Sequence, residues 1–133
     1  MRKTILAVFC CLAFYAAGNA SASELTLVDS GICTGVVDHV AVDVGEVFGR
    51  DIGKLICFTR VVGPYLEGSE QFVVHVWYYQ DTERARVTLP VRSSNWGTYS
   101  SKLIQPFEIG EWRVEVLDSQ GETVDVFQFY VKE

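Results

Sequence analysis

The chain has 133 residues, with 17 acidic residues against 11 basic ones and a formal net charge of −6. This balance argues against a nucleic-acid partner, because phosphates are neutralised by clustered Lys and Arg side chains. It argues equally against docking on anionic lipid. The length suits one domain with its own core and leaves little room for a second.

The first 22 residues have the three parts of a secretion signal. Arg2 and Lys3 supply the positive start, residues 5–17 form an uncharged apolar run, and Ala20-Ser21-Ala22 gives the small-residue pattern that precedes cleavage. The run is shorter than the roughly 20 residues of a membrane-spanning helix, which disfavours the alternative of a retained anchor. The sequence therefore predicts a signal-peptide helix over residues 1–22, cleavage after Ala22, a periplasmic or secreted protein, and no membrane insertion after cleavage.

Cleavage would leave residues 23–133 as a single domain with 9 basic and 17 acidic residues and two cysteines, Cys33 and Cys57. An even number of cysteines in an oxidising compartment predicts a disulfide between them. On the chain-entropy model such a bridge would stabilise the fold by about 3.5 kcal/mol. The alternative is two separately buried thiols on different strands. No CxxC motif or Cys/His cluster accompanies the pair, so the sequence predicts no metal there.

Patterns typical of β-strands run through the whole of this domain. In chain order, the candidate strands are residues 25–28, 32–37, 41–48, 55–62, 72–79, 85–91, 99–104, 112–117 and 123–131. Turn-forming residues separate them, with a tight turn at 81–83, a loop at 93–98 and a hairpin turn at 118–121. About seven short strands spaced in this way predict an all-β fold, an immunoglobulin-like antiparallel β-sandwich. A small barrel is the alternative.

Alternation predicts which side chains face the core. One strand turns Trp112, Val114 and Val116 to one side, and the last strand does the same with Phe127, Phe129 and Val131. The strand at 72–79 differs, because both of its faces are apolar or aromatic. One of these faces must meet the core, so the other is expected to bring aromatic rings towards solvent or under a loop.

The row His75-x-Trp77-x-Tyr79 on that strand is the first candidate site. Neighbouring segments would add more side chains: Arg60, Arg86, Arg92, Trp96 and Tyr99. Aromatic rings beside arginines form surfaces that stack on sugars or grip peptides. The alternative for Trp77 is the buried tryptophan that pins the core of many immunoglobulin-like sandwiches.

Signals for catalysis and metal binding are weak. The sequence has no G-x-S-x-G or H-E-x-x-H motif. A Cys33–His75 dyad is conceivable, although a disulfide would remove its nucleophile. The acidic residues Asp38, Asp43, Glu46 and Asp51 fit no calcium-loop spacing, and acids on a solvated strand edge explain them better. We therefore expect no catalytic residues, no metal and no cofactor.

A series of segments follows in order along the chain: Gly31-Ile32-Cys33-Thr34-Gly35-Val36-Val37-Asp38, Val42-Asp43-Val44-Gly45-Glu46, Gly53-Lys54-Leu55-Ile56-Cys57-Phe58-Thr59-Arg60, His75-Val76-Trp77-Tyr78-Tyr79, Leu89-Pro90-Val91-Arg92-Ser93-Ser94, Trp96, Ser100-Ser101-Lys102 and Trp112-Arg113-Val114-Glu115-Val116. Together these segments resemble the family called domain of unknown function 2914. The resemblance covers about residues 30–131 and departs from the family at Asn95-Trp96-Gly97. It implies a bacterial protein and supplies no activity.

The function predicted from these observations is that of an exported, non-catalytic binding domain. Its partner is expected to be a protein that contacts the aromatic and arginine face. One alternative is a carbohydrate-binding module for a cell-envelope glycan. Another is a small hydrolase, which would require a nucleophile within about 3 Å of His75 in a cleft.

Overall fold

A computed structural model describes residues 23–133, and the predicted signal segment lies outside these described residues. The strands are β1 Thr26–Cys33, β2 Gly35–Val37, β3 Val40–Val42, β4 Val47–Gly49, β5 Lys54–Val62, β6 Phe72–Tyr79, β7 Thr82–Pro90, β8 Asn95–Leu103, β9 Gly110–Leu117 and β10 Thr123–Lys132. Between residues 23 and 133 there is no helix, and hence none that could cross a membrane. The predicted all-β class is confirmed. The expectation of about seven strands corresponds to the seven that have eight residues or more.

Two sheets face each other across the core. The larger has the order β4-β10-β9-β6-β7, the smaller has the order β1-β5-β8, and β2 and β3 form a separate hairpin. Every pairing is antiparallel except that of β4 with β10, which is parallel. One core cluster joins Ile32 and Leu55 of the smaller sheet to Trp77, Val114 and Phe129 of the larger sheet. The fold is therefore the predicted sandwich, with one parallel strand pair added.

The core contains the side chains that alternation predicts. Trp112, Val114, Val116, Phe129 and Val131 are buried, and Phe127 is partly buried. The Phe129 ring packs on Phe48, Trp77 and Trp112, at centroid distances of 6.0, 6.3 and 5.8 Å. Aromatic pairs at such distances add favourable contacts beyond the burial of their area. Phe129 thus links the rings at the centre of the core.

Some strand boundaries differ from the prediction because of backbone conformations that single residues adopt. Residues 41–48 form two short strands instead of one, since Asp43 between them has φ 59°. The tight turn lies at Gln80 and Asp81, with φ 48° and 69°, so that β7 begins at Thr82. Asp and Asn side chains tolerate this left-handed region better than most others. The predicted loop at 93–98 is shorter, because β8 already begins at Asn95.

The predicted disulfide between Cys33 and Cys57 does not form, and both thiols are free and buried. In the β1–β5 register Cys33 lies opposite Ile56, whereas Cys57 lies opposite Ile32. Directly opposed residues share a face of the sheet and successive residues alternate, so the two thiols point to opposite faces. Cys57 packs in the main core, and Cys33 packs under the β2–β3 hairpin. The two thiols are buried separately, as the alternative prediction from the sequence proposed.

Candidate functional site

His75 and Trp77 do not form the predicted surface row, because both side chains are fully buried between the sheets. They belong to the inner face of β6, where they lie opposite Val87 and Ala85 of β7. β6 lies between β7 and β9 in the larger sheet, and the smaller sheet covers this face. Trp77 is therefore a buried tryptophan in the core of the sandwich, which was the alternative prediction for this residue.

A chain of hydrogen bonds joins the two sheets around His75. Trp77 Nε1 donates to Ser100 Oγ over 3.0 Å, and Ser100 Oγ lies 2.7 Å from Nδ1 of His75. On the other side, Nε2 of His75 lies 3.1 Å from Thr59 Oγ1, which donates to the Thr98 carbonyl. One tautomer satisfies every group: Ser100 donates to Nδ1, and Nε2–H donates to Thr59. Burial lowers the pKa of His75 to about 4, so that the ring is neutral at physiological pH.

Ser100 Oγ and His75 Nδ1 are as close as a catalytic nucleophile and its base, but both side chains are buried. Ser100 is nearly buried, His75 is fully buried, and the serine oxygen already accepts the indole N–H. A catalytic pair must reach a substrate atom in a cleft. The pair therefore lacks the open cleft that the hydrolase alternative requires. Cys33 lies on the other face of the smaller sheet and does not approach His75.

The other predicted site residues do not share one surface. Tyr79 is partly buried, donates its hydroxyl to the Ile109 carbonyl over 2.6 Å, and lies under Arg84. Arg86 is on the outer face of the larger sheet, paired with Glu83. The side chains of Tyr79 and Arg86 therefore lie on opposite faces of the larger sheet.

The outer face of the smaller sheet carries Arg60 and Tyr99. Arg60 donates to the His39 carbonyl and lies across Gly97, and Tyr99 is 51% exposed. Trp96 alternates to the inner face and packs beside a second core cluster, which includes Val61 and Val73. Arg92 is exposed in the loop before β8. The predicted convergence of these side chains with His75 and Trp77 at one surface is wrong, because His75 and Trp77 are buried between the sheets whereas Arg60 and Tyr99 lie outside the smaller sheet.

A different set of side chains meets on the outer face of the larger sheet, and we call it the outer-face site: Tyr78, Asp81, Glu111, Arg113, Gln128 and Tyr130. The pairing register places Arg113 between Tyr78 and Gln128, and Glu111 opposite Tyr130. A concavity of about 400 Å³ opens over this end of the sheet. Tyr130 is 47% exposed there.

Arg113 is held in a fixed position in this site. Its guanidinium carbon lies 4.1 Å from the centre of the Tyr78 ring. It donates to Glu115 over 3.0 Å and also to Asp81, and these bonds raise its pKa. A cation over an aromatic face and two carboxylates restrict the side chain before any partner arrives. Alternation had already placed Gln128 and Tyr130 on the outward side of the last strand, and that was the available signal for this site.

No group of three His, Cys, Asp or Glu side chains within residues 23–133 is arranged to hold a metal ion. The concavity at the outer-face site contains Glu46, Asp81 and Glu111, together with Arg113. Its chemistry is that of a polar surface with one exposed ring. Such a surface can accept basic groups or hydroxyl groups through hydrogen bonds.

Comparison with known proteins bears on the family and the fold of the domain. The model of a family described as "Protein of unknown function (DUF2914)" matches residues 70–131. The match supports the family resemblance that the sequence showed, and the resembling segments before residue 70 lie outside it. No curated protein matches the chain.

One similar solved structure is Pseudomonas fluorescens alkylpurine DNA glycosylase AlkC bound to DNA containing an abasic site analogue. The TM-score is 0.52 at 12% identity, and the likeness covers 88% of this chain. It covers 33% of that chain, so this protein spans about a third of the glycosylase's length. The likeness at this identity shows the fold alone.

Proposed function

We propose that this protein is an exported, non-catalytic binding domain that contacts a protein partner through the outer-face site. The observation that carries the proposal is the half-exposed Tyr130 beside the fixed Arg113 in a concavity of about 400 Å³. Tyrosine and arginine dominate the energetics of many protein interfaces. Side chains that are fixed before binding lose little entropy when a partner arrives.

The charge of the concavity favours a partner that presents Lys or Arg. Glu46, Asp81 and Glu111 line it, and Arg113 already has two carboxylate partners. A basic side chain would find carboxylates there and the Tyr130 ring on which to pack. Val47, 58% exposed, extends the site with an apolar rim.

The remaining classes of function are less well supported. The enclosed Ser100–His75 pair speaks against a hydrolase, because a substrate has no route to it. The acidic net charge speaks against DNA, to which the similar glycosylase is bound. A glycan remains the competing ligand, since Tyr130 and Gln128 also suit a sugar ring and its hydroxyls.

Capture from a bacterial envelope extract, run beside a glycan array, tests the proposal. Tyr130→Ala should weaken capture of a protein partner at least tenfold, and added salt should weaken it further. Phe107→Ala is the matched control, since Phe107 is an aromatic side chain with 75% exposure outside the site. Capture that survives Tyr130→Ala would overturn the assigned surface, and glycan binding lost in this variant would assign the site to a sugar instead.

The export step has its own test. The predicted signal supports secretion, and cleavage after Ala22 would give a mature protein beginning at Ser23. Intact mass of the protein recovered from the periplasm or medium measures this start directly. A mass that includes residues 1–22 would contradict the cleavage.

A further inference from the structure

β8 is an edge strand whose outer side has no neighbour among the described strands. It pairs with β5 without interruption, from Asn95 opposite Val62 to Leu103 opposite Lys54. We propose that this edge is the interface with a second copy of the chain, in which the two β8 strands pair antiparallel about a two-fold axis at Tyr99. The proposal is independent of the outer-face site, which lies on the other sheet.

The contacts of β8 show which backbone groups are free to pair. The Ser94 carbonyl accepts the backbone N–H of Gly63, and the Ile104 N–H donates to the Gly53 carbonyl. The backbone N–H and C=O groups of the even-numbered residues of β8 therefore point towards β5. Alternate residues of a strand direct their backbone groups to opposite sides. Those of Gly97, Tyr99 and Ser101 therefore point outwards.

Three of the four outward backbone groups at the two ends of this edge already have partners. Ser93 Oγ accepts a hydrogen bond from the N–H of Asn95 and donates one to the carbonyl of the same residue. At the other end, Lys102 Nζ donates to the Leu103 carbonyl. The residues whose outward N–H and C=O groups both lack a partner are thus those in the middle of the strand, centred on Tyr99.

The other long edges carry features that discourage strand addition. β7 has an extra residue, Arg84, at a bulge opposite β6, and it ends at Pro90. β1 has a bulge between Val28 and Gly31. On β10, the Asp125 carboxylate accepts the N–H of Val126, and β4 covers the end of the strand. Bulges, prolines, charges and covered edges are the known protections against edge pairing. β8 has no proline and no bulge, and its one charged residue, Lys102, lies near its end.

The sequence of β8 suits pairing with itself. A two-fold axis at Tyr99 places Tyr99 opposite Tyr99 of the second copy and Gly97 opposite Ser101, so that all the outward N–H and C=O groups find partners. On the inner side, Trp96 would lie opposite Lys102, which favours a cation–π contact. No like charges oppose each other, whereas most of this acidic chain would repel a copy of itself.

The edge is accessible to a second copy. Tyr99 is 51% exposed. A hollow of about 280 Å³ runs beside residues 96–99, bounded by Phe58 and Pro90. An incoming strand therefore has open space along the part of β8 where the free groups lie.

Sedimentation equilibrium of the protein purified after expression of the full chain tests the proposal. The wild type should form a dimer, and Tyr99→Lys, which would oppose two like charges at the axis, should raise the dimer dissociation constant at least tenfold. Ser101→Pro should also weaken the dimer, since it removes an outward N–H while β5 pairing is kept. Tyr130→Lys is the control, with similar exposure on the other sheet, and should leave the dimer unchanged.

The outcomes separate this interface from a monomer and from a dimer formed through another surface. A wild type that stays monomeric at millimolar concentration would overturn it, as would a dimer that resists both β8 substitutions. Circular dichroism and the thermal midpoint of each variant establish that it is folded. Because Tyr130→Lys alters the outer-face site and leaves β8 intact, failure of the dimer and failure of the proposed partner site are read from different variants.

Discussion

Ser100 Oγ, on β8 of the smaller sheet, lies 2.7 Å from Nδ1 of His75, on β6 of the larger sheet. The bond joins the two layers inside the core. Ser100 Oγ also accepts the Trp77 N–H, and the other ring nitrogen of His75 bonds Thr59 Oγ1. Buried polar groups stabilise a single arrangement only when all of them are satisfied. This pair therefore fixes how the two sheets face each other.

Stability should depend on pH through His75. Burial lowers its pKa to about 4 in the folded protein, whereas an unfolded histidine titrates near 6.5. As pH falls through about 6.5 the unfolded chain binds a proton that the folded chain does not, so the free energy of unfolding should fall by up to about 3 kcal/mol by pH 4. Urea unfolding between pH 4 and 8 measures this slope.

Two variants isolate the histidine from the carboxylates that also titrate at low pH. His75→Gln should remove this component of the slope between about pH 4 and 6.5. His39→Gln should keep it, because His39 is exposed at the tip of the β2–β3 hairpin. An unchanged slope in His75→Gln would contradict the assignment.

Ser100→Ala should destabilise the fold by about 2 kcal/mol, because it leaves the Trp77 N–H and His75 Nδ1 buried without a partner. Chemical denaturation measures the loss. Ser101→Ala is the matched control, as this neighbouring serine is exposed and should change stability by less than about 0.5 kcal/mol. Equal effects of the two substitutions would rule out the hydrogen-bond network as the cause.

Arg84→Met should destabilise the protein by about 2–3 kcal/mol, because it leaves the Glu108 carboxylate buried without its cationic partner. Glu108 would keep only the N–H of Gln105 among its present side-chain contacts. Arg86→Met, on the same strand, removes an exposed pair with Glu83 and should leave the urea midpoint unchanged. If both variants unfold at the wild-type midpoint, the Arg84–Glu108 pair contributes nothing to stability.

Both cysteines should remain thiols in the oxidised, folded protein. Burial raises the pKa of Cys33 and of Cys57, which suppresses the reactive thiolate. Alkylation should therefore be slow until denaturant is added and should then modify both residues. Intact mass should lack the deficit of about two hydrogens that a bridge would cause. A Cys33–Cys57 peptide in a non-reducing digest would disprove the β1–β5 register.

The core was predictable where a strand has one polar face. On β9 and β10, polar residues such as Arg113 and Gln128 mark the outside, so the buried faces follow from alternation. β6 is apolar on both faces, and alternation alone could not tell which one met the smaller sheet. The register resolves it: Val76 lies opposite Arg86 and Glu115, which places the His75 and Trp77 face inside.

Two other features depend on relations that a single strand does not contain. The even number of cysteines predicted a disulfide, which would need Cys33 to lie opposite Cys57. In the observed register Cys33 lies opposite Ile56, one residue away, so its side chain points to the other face of the sheet. The outer-face site combines three strands and the turn at Asp81, so its members are scattered along the chain. Such contacts arise from strand order, which local patterns do not specify.

The parallel pairing of β4 with β10 has a consequence for the order of folding. β10 is synthesised after all the other strands described, and residues 47–49 pair with residues 130–132. Closing so long a loop delays contact formation, and Phe48 meets Phe129 through this pairing. We expect β4 to dock last, so a chain still being translated or threaded through a membrane pore could not complete its aromatic core. If the predicted signal directs export of the unfolded chain, this delay would keep the chain competent for passage until β10 is free.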